Sequence, residues 1–385
     1  MGYHGFEAGS RNSRWRSVLA VLLFVVFLAV GGLLASNYRH FGNLFKVIAL
    51  VRTQYLHPVS STQLVDGAIK GLVNSLNDPY SVYLDPKTFS QLQEQIKGSF
   101  GGLGILVGVK DQYLTVVRTY QGTPAARAGI KEGDVIAKID DRDAKGIDLE
   151  TAINLMRGPV GSKVNLTANR QGTSEQLQFS LVREQISVPT VDGRTIPDTG
   201  IGYIIISQFT ERTADEMNET LGRLKSEHVK GIILDLRDNP GGELTAAVNV
   251  AKNFIPEGPV VYIDYRVGRE QVFQSEGRTL QLPLVVLINE GSASAAEILA
   301  GAVKDTGAGT LVGTKTFGKG IVQTVFPLDG GAGLKLTTAR YLTPAKNDIH
   351  EKGIQPDVQV QSPEDRTQDV QLERAEEIMK QKIAR

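Results

Sequence analysis

An α/β domain in the C-terminal half, preceded by a small strand-rich domain, short helices and an apolar N-terminal segment, is the organisation this sequence predicts. Three observations carry it. From residue 200 onward, apolar strand-like runs alternate with helical segments, the pattern of a largely parallel sheet with crossover helices. Between residues 98 and 184, short strand-like runs enclose one helical segment. At the N-terminus an uninterrupted apolar run, 18–35, follows Arg11, Arg14 and Arg16.

Composition narrows the function classes. A chain of 385 residues, 41% of them hydrophobic, can bury more than one core. Lysine plus arginine and aspartate plus glutamate both total 42, so no net field favours nucleic acid, and no nucleic-acid partner is expected. The absence of cysteine excludes a thiol nucleophile, a disulfide framework and thiolate zinc sites. His4, His40, His57, His228 and His350 are scattered without a His-Glu-x-x-His pattern, and no metal site is expected.

The run 18–35 approaches the ~20 residues a helix needs to span a bilayer, and its basic flank lies on the N-terminal side. A signal-anchor over 17–36 is expected, with residues 1–16 in the cytoplasm and the body outside it. A cleaved signal peptide is the competing reading, but its apolar region spans ~7–15 residues and ends in a small-x-small site, which Leu33-Leu34-Ala35 fits poorly. In the helical region 37–97 the spacing of Leu44, Ile48, Val51 and of Leu64, Ala68, Leu72, Leu76 predicts short amphipathic helices with one buried face, broken at Pro58 and Asp78-Pro79.

In the segment 98–184, strand-like runs at 104–109, 114–117, 135–139 and 164–167 surround a helical stretch at 149–157. Thr123-Pro124-Ala125-Ala126-Arg127-Ala128-Gly129-Ile130 and Glu132-Gly133-Asp134-Val135-Ile136 resemble a PDZ domain of the bacterial type. That resemblance makes Gly101-Gly102-Leu103-Gly104-Ile105 the loop that receives a peptide carboxylate on backbone N–H groups, as an added strand docks beside it. Arg157, at the end of the helix, carries a planar fork of donors suited to a carboxylate or to carbonyls of the neighbouring domain, and equally the charge that a helix C-terminus favours.

The chemistry concentrates in 282–323. A buried strand, 284–288, leads through small residues into a helix opening near Ala295, which places Ser294 where helix N–H groups favour negative charge. Lys319 lies between Gly318 and Gly320, which permit close packing and partial desolvation of the amine. A lysine so desolvated can take the serine proton, and Gln323 could orient it. Residues 313–319 mimic a phosphate loop, but glycine occupies position 320 where serine or threonine should follow, and a strand rather than a helix comes next. At the C-terminus, Leu372, Ala375, Ile378 and Met379 are spaced for a helix, docked or solvated.

Ser294-Ala295-Ala296-Glu297-Ile298-Leu299-Ala300-Gly301, Thr316-Phe317-Gly318-Lys319-Gly320, Gln323, Asp235 to Gly242, Asp78-Pro79-Tyr80-Ser81-Val82-Tyr83-Leu84 and Lys352 to Asp357 together resemble the carboxyl-terminal processing peptidases, or tail-specific proteases. The resemblance covers about residues 40 to 360. It implies a crotonase-like protease core at 185–362 with an inserted PDZ domain at 98–184 and a C-terminal helical tail at 363–385. By the same resemblance Gly242 and Ala295 supply the oxyanion N–H groups, with Gly241 as the alternative to Gly242. Gly102, Leu103, Gly104, Ile105 and Arg157 serve the substrate tail. No cofactor is required, the partners are proteins with unstructured C-terminal tails, and homo-oligomers are possible in the family. The expected activity is that of a membrane-anchored extracytoplasmic (periplasmic) serine endopeptidase. A non-catalytic PDZ adaptor needs a lost catalytic residue, and acyl-CoA chemistry on the same fold is disfavoured by the anchor and the serine–lysine pair.

Overall fold

The computed structural model describes residues 38–362 and 368–384, with positions 21, 24, 25 and 32 before them. The expected anchor at 17–36 and the segment 1–16 otherwise lie outside the described residues. Among the described residues no helix is long and apolar enough to cross a membrane. The chain divides into two compact units, Met1–Asn77 and Asp78–Arg385.

The first unit contributes α1 (Tyr38–Gln54) and α2 (Ser61–Asn74). Pro58 separates them, and α2 opens on a capping box in which Gln63 N–H donates to Ser60 Oγ (3.1 Å) and Ser60 N–H to Gln63 Oε1 (3.4 Å). The expectation of a buried face is corrected here. Ile48, Val51 and Leu64 are half-buried, whereas Leu44, Leu72 and Leu76 remain exposed. The spacing encodes amphipathic helices, but closing a core also takes a surface to cover them, and among the described residues none covers Leu44, Leu72 or Leu76.

The second unit begins with Asp78-Pro79, then β1 (Val82–Leu84) and α3 (Pro86–Lys97). Asp85 caps α3 by accepting from Thr88 N–H (3.0 Å), and Pro86 fits the first turn. The chain then enters a strand-rich domain through β2 (Ser99–Gly102), continues through β3 (Ile105–Lys110), β4 (Tyr113–Thr119), α4 (Pro124–Arg127), β5 (Val135–Ile139), β6 (Arg142–Asp143), α5 (Leu149–Met156), β7 (Lys163–Asn169) and β8 (Leu177–Val182), and leaves through β9 (Glu184–Ser187). β2 and β9 pair antiparallel as a two-stranded neck, and β3-β4-β5-β7-β8 form the sheet, with β6 on β5. Leu103, Val107, Leu114, Ile136, Ala152 and Leu166 belong to its own core. Buried Asp134 is held by Arg170, whose Nε and Nη2 donate at 2.6 and 2.7 Å.

After the neck come β10 (Val191–Ile196), β11 (Ile201–Ile206), α6 (Thr213–Ser226), β12 (Gly231–Asp235), α7 (Leu244–Ala251), β13 (Gly258–Tyr265), β14 (Gln271–Ser275), β15 (Leu284–Ile288), α8 (Ala295–Thr306), β16 (Thr310–Gly313), β17 (Ile321–Pro327), β18 (Gly333–Leu342), β19 (Val358–Gln359) and α9 (Val370–Ile383). The sheet β10-β11-β12-β15-β16-β19 is parallel except for its antiparallel edge β10. Every residue of β12 and β15 is buried, as expected of strands covered on both faces. Ile204, Ile232, Leu234 and Val286 pack toward α6, α7 and α8, while Tyr203, Ile233, Val285 and Leu287 pack with Ala375 and Met379 of α9. The C-terminal helix is therefore docked. A second, antiparallel sheet runs β1-β18-β13-β14, with β17 also on β18.

Candidate active site

Ser294 stands between β15 and α8, at the N-cap of that helix, with φ 54 and ψ −115. A non-glycine residue with such a backbone is strained and is held by its surroundings. Those surroundings are specific. Ser292 Oγ donates to Leu236 O (2.7 Å), Ala293 N–H to Asn239 O (2.9 Å), and Phe317 N–H to Ser292 O (3.0 Å). The loop before the nucleophile position is thus stitched to the loop after β12 and to the chain before Lys319.

The loop after β12 is equally fixed. Arg237 donates to Asp235 and to Asp369, the N-cap of α9, joining the loop to the docked C-terminal helix. Asn239, fully buried, donates to Ile206 O (2.7 Å) and accepts Gly241 N–H (2.8 Å) on its side-chain oxygen. Gly241 N–H is therefore committed internally. Gly242 is exposed, with φ 138, and a Cβ there would lie 1.9 Å from Phe209 O, so only glycine fits. Among the described residues neither Gly242 N–H nor Ala295 N–H has a protein acceptor.

Gly318 and Gly320 pack as closely as their lack of side chains permits: a Cβ would come 2.9 Å from Gly353 N and 2.6 Å from His350 N, respectively. Lys319 is half-buried between them. Burial, aided by the neighbouring positive charge of Lys335, holds its amine below the ordinary lysine value, while the negative charge of Glu297 works the other way.

Glu297 was not singled out from the sequence, where it figured only within the family motif. It is fully buried and accepts four hydrogen bonds. Ser294 N–H (2.9 Å) and Lys319 N–H (2.8 Å) meet on Oε2, while Gly318 N–H (2.7 Å) and Thr316 Oγ1 (2.6 Å) meet on Oε1. One carboxylate therefore ties the serine backbone to the lysine backbone. Buried Tyr341 repeats the link on the carbonyl side, its hydroxyl donating to Ser294 O (3.0 Å) and to Lys319 O. Burial first, and the Glu297 charge second, push this phenol well above its usual value, so it remains a donor.

The side chains are less complete than the backbones. No hydrogen bond joins the Ser294 hydroxyl to the Lys319 amine among the described residues, and the amine lies over the Tyr80 ring, 5.0 Å from its centroid. Gln323 does not reach Lys319 here. Its amide nitrogen is 3.5 Å from Thr337 Oγ1, and the β17–β18 register shifts between Val322 and Gln323.

In the strand-rich domain, Leu103, Gly104, Ile105, Val107, Ile153 and Met156 line a groove of about 260 Å³ between β3 and α5. Leu103 and Gly104 N–H groups have no protein acceptor among the described residues. Gly102, by contrast, lies in β2, paired with Glu184. Arg157 is exposed and stacks its guanidinium on Phe100, 3.9 Å from the ring centroid, rather than bonding to a carboxylate. Phe100, Arg157 and Val188 also line a second cavity, about 350 Å³, that extends to Gln208, the residue before Phe209. Phe209 bridges to Gly242.

Fold and site define a serine-type protease carrying a PDZ domain. Residues 200–360 match peptidase family S41, residues 91–169 the PDZ domain, and residues 34–88 the N-terminal domain of the activating protease CtpB. The carboxy-terminal processing protease CtpA of Bacillus subtilis is 40% identical over 326 residues, 84% of this chain and 70% of the relative. The carboxy-terminal-processing protease of Bartonella bacilliformis is 40% identical over 338 residues, 85% of this chain and 76% of the relative. Among solved structures, the photosystem II D1 C-terminal processing protease superposes with a TM-score of 0.51 at 30% identity, covering 87% of this chain and 90% of that one. The chain belongs to peptidase family S41 and is a carboxy-terminal processing serine protease.

Proposed function

We propose that the protein is an endopeptidase that captures C-terminal tails of proteins in its PDZ groove and cleaves them with a serine–lysine pair on a crotonase-like core. Ser294 attacks the scissile carbonyl. Lys319 takes its proton and later returns it to the leaving amine. Gly242 and Ala295 N–H groups stabilise the oxyanion, and Gln323 orients the lysine once its side chain leaves Thr337. The observation that carries this reading is the Glu297 carboxylate, which ties the backbones of Ser294 and Lys319 to a single oxygen. The free N–H groups of Gly242 and Ala295, against the committed Gly241 N–H, support the choice within the glycine pair. The apolar groove and the cavity leading from it toward Gln208 support a route from the captured tail to Gly242, with Arg157 at the junction. The adaptor reading has no support from a protease-family member that retains Ser294, Lys319 and Gln323. Covalent labelling of Ser294 by a fluorophosphonate probe, lost in Ser294→Ala, tests the nucleophile. A wild-type protein that resists labelling and hydrolyses no unstructured peptide would sink the reading.

Gly242→Ala is expected to lower kcat by about 10²-fold or more, the usual cost of losing one oxyanion donor, because its Cβ would strike Phe209 O. Near-normal kcat for this variant would remove Gly242 from the oxyanion site. Activity is also expected to rise with pH. The base is the neutral amine, the neutral fraction grows through the Lys319 pKa, and burial has brought that pKa down toward the working range. A profile of kcat/KM flat from pH 5 to 10, with chemistry rate-limiting, contradicts it.

The apolar run 18–35 with its arginine flank supports retention as an anchor, with the PDZ domain (98–184) and core (185–362) on the extracytoplasmic side. Alkaline carbonate extraction tests this: release of the full-length chain into the supernatant argues against an anchor.

A further inference from the structure

Tyr80 belongs to the turn that enters the second unit, far in sequence from the catalytic stretch, yet its ring receives the Lys319 amine at 5.0 Å, inside the ~6 Å range of a cation–π contact. Among the described residues the amine makes no hydrogen bond or ion pair with Ser294, Glu297 or Gln323. The turn that carries the ring is also held in place. Tyr80 N–H donates to Asp78 Oδ1 (3.0 Å), Ser81 Oγ bonds Asp78 Oδ2, and Thr337 N–H donates to Ser81 Oγ (3.0 Å). Thr337 is the β18 residue that pairs with Gln323 of β17 and accepts its amide. The turn bearing Tyr80 and the strand following Lys319 are therefore set against the same residue, which keeps the turn beside the lysine's strand.

We propose that Tyr80 is a positioning residue for Lys319: its ring face holds the ammonium form away from Ser294 and releases the neutral amine to the serine hydroxyl. This rests on the serine–lysine reading above. Among the described residues, three groups act on the amine. Lys335 on β18 favours the neutral form, Glu297 on α8 favours the ammonium, and the ring face of Tyr80 favours the ammonium as well. Losing its proton abolishes the charge that the ring attracts, while leaving the amine able to accept from a hydroxyl. Position and protonation are thereby coupled: the form that rests on Tyr80 is the one that cannot act as a base, and the active form is the one the ring does not hold.

The sign of the effect follows. A ring that stabilises the ammonium raises the lysine pKa, so weakening its quadrupole lowers the pKa and moves the acid limb of activity to lower pH. The test compares kcat/KM against pH on an unstructured peptide for wild type, Tyr80→Phe, and phenylalanines at position 80 bearing progressively more ring fluorines. These keep the ring shape and so the fold, which thermal unfolding checks. Tyr80→Phe is expected to keep the wild-type limb, and the most fluorinated ring to move it down by about half a unit to one unit, with a several-fold gain in turnover below the limb. Lys319→Ala, run in parallel, separates two failures. If Lys319→Ala is inactive and the limb does not move across the fluorine series, or moves upward as simple loss of burial predicts, the Tyr80 proposal is overturned and the serine–lysine reading stands. If Lys319→Ala hydrolyses the peptide at the wild-type rate, that reading falls and this proposal with it.

Discussion

Ser294→Ala and Lys319→Ala are each expected to lower peptide hydrolysis by about 10⁴-fold or more, with no further loss in the double variant. The reason is that the two residues act as one unit. Alanine at 294 leaves the lysine nothing to deprotonate, and alanine at 319 leaves the serine without a base; among the described residues no histidine bonds to the serine hydroxyl. Both variants should fold. Ser294 N–H is anchored on Glu297, a bond that alanine at 294 keeps, and among the described residues the Lys319 side chain makes no hydrogen bond. Steady-state rates on an unstructured peptide, with unfolding midpoints for the same samples, check both halves. A double variant much slower than either single one would mean the residues contribute independently, and the pair would have to be abandoned.

The features legible in the sequence are those written in contiguous residues. The apolar runs at 231–234 and in β15 announce central strands, the Ser294 turn announces a helix start, and the glycines about Lys319 announce close packing, because each is a local consequence of residue type. The antiparallel sheet was not legible. Its β1 strand pairs Val82 with Lys335 and Leu84 with Gly333, and no short window shows partners so far apart. Gln323 lies four residues beyond Lys319, and on the extended strand read there four residues span about 13 Å, so the local sequence does not show whether the two side chains meet. Tyr80 was visible only as a letter in a motif. Glu297 had a usable signal: a glutamate three residues after a serine at a helix start is the spacing of a capping box, and it implies that the carboxylate turns back onto the N-cap backbone. What the spacing could not show is that the same carboxylate would also collect Gly318, Lys319 and Thr316, since that depends on how the later loop returns across the helix.

That convergence makes Glu297 the residue outside the pair with the largest expected effect. Glu297→Gln keeps the volume but replaces one acceptor oxygen with an amide N–H₂, which then faces two donors: either Ser294 N–H and Lys319 N–H, or Gly318 N–H and Thr316 Oγ1. A hydrogen bond to a charged group contributes about 1.5–3 kcal/mol, and leaving buried donors unsatisfied carries a further cost, so the variant should lose both stability and catalytic geometry. The expected result is a fall in kcat of about 10³-fold, a lower unfolding midpoint, and slower labelling of Ser294 by a fluorophosphonate, because the strained serine backbone and the Lys319 backbone lose their common anchor. Glu297→Asp keeps the charge but shortens the reach, and should fall between wild type and Glu297→Gln in kcat. KM on a tailed substrate should change little in either variant, since the PDZ groove is built from other residues. A Glu297→Gln protein with near-wild-type kcat would show that Tyr341, which spans the same two backbones through their carbonyls, suffices to hold the serine and the lysine in register.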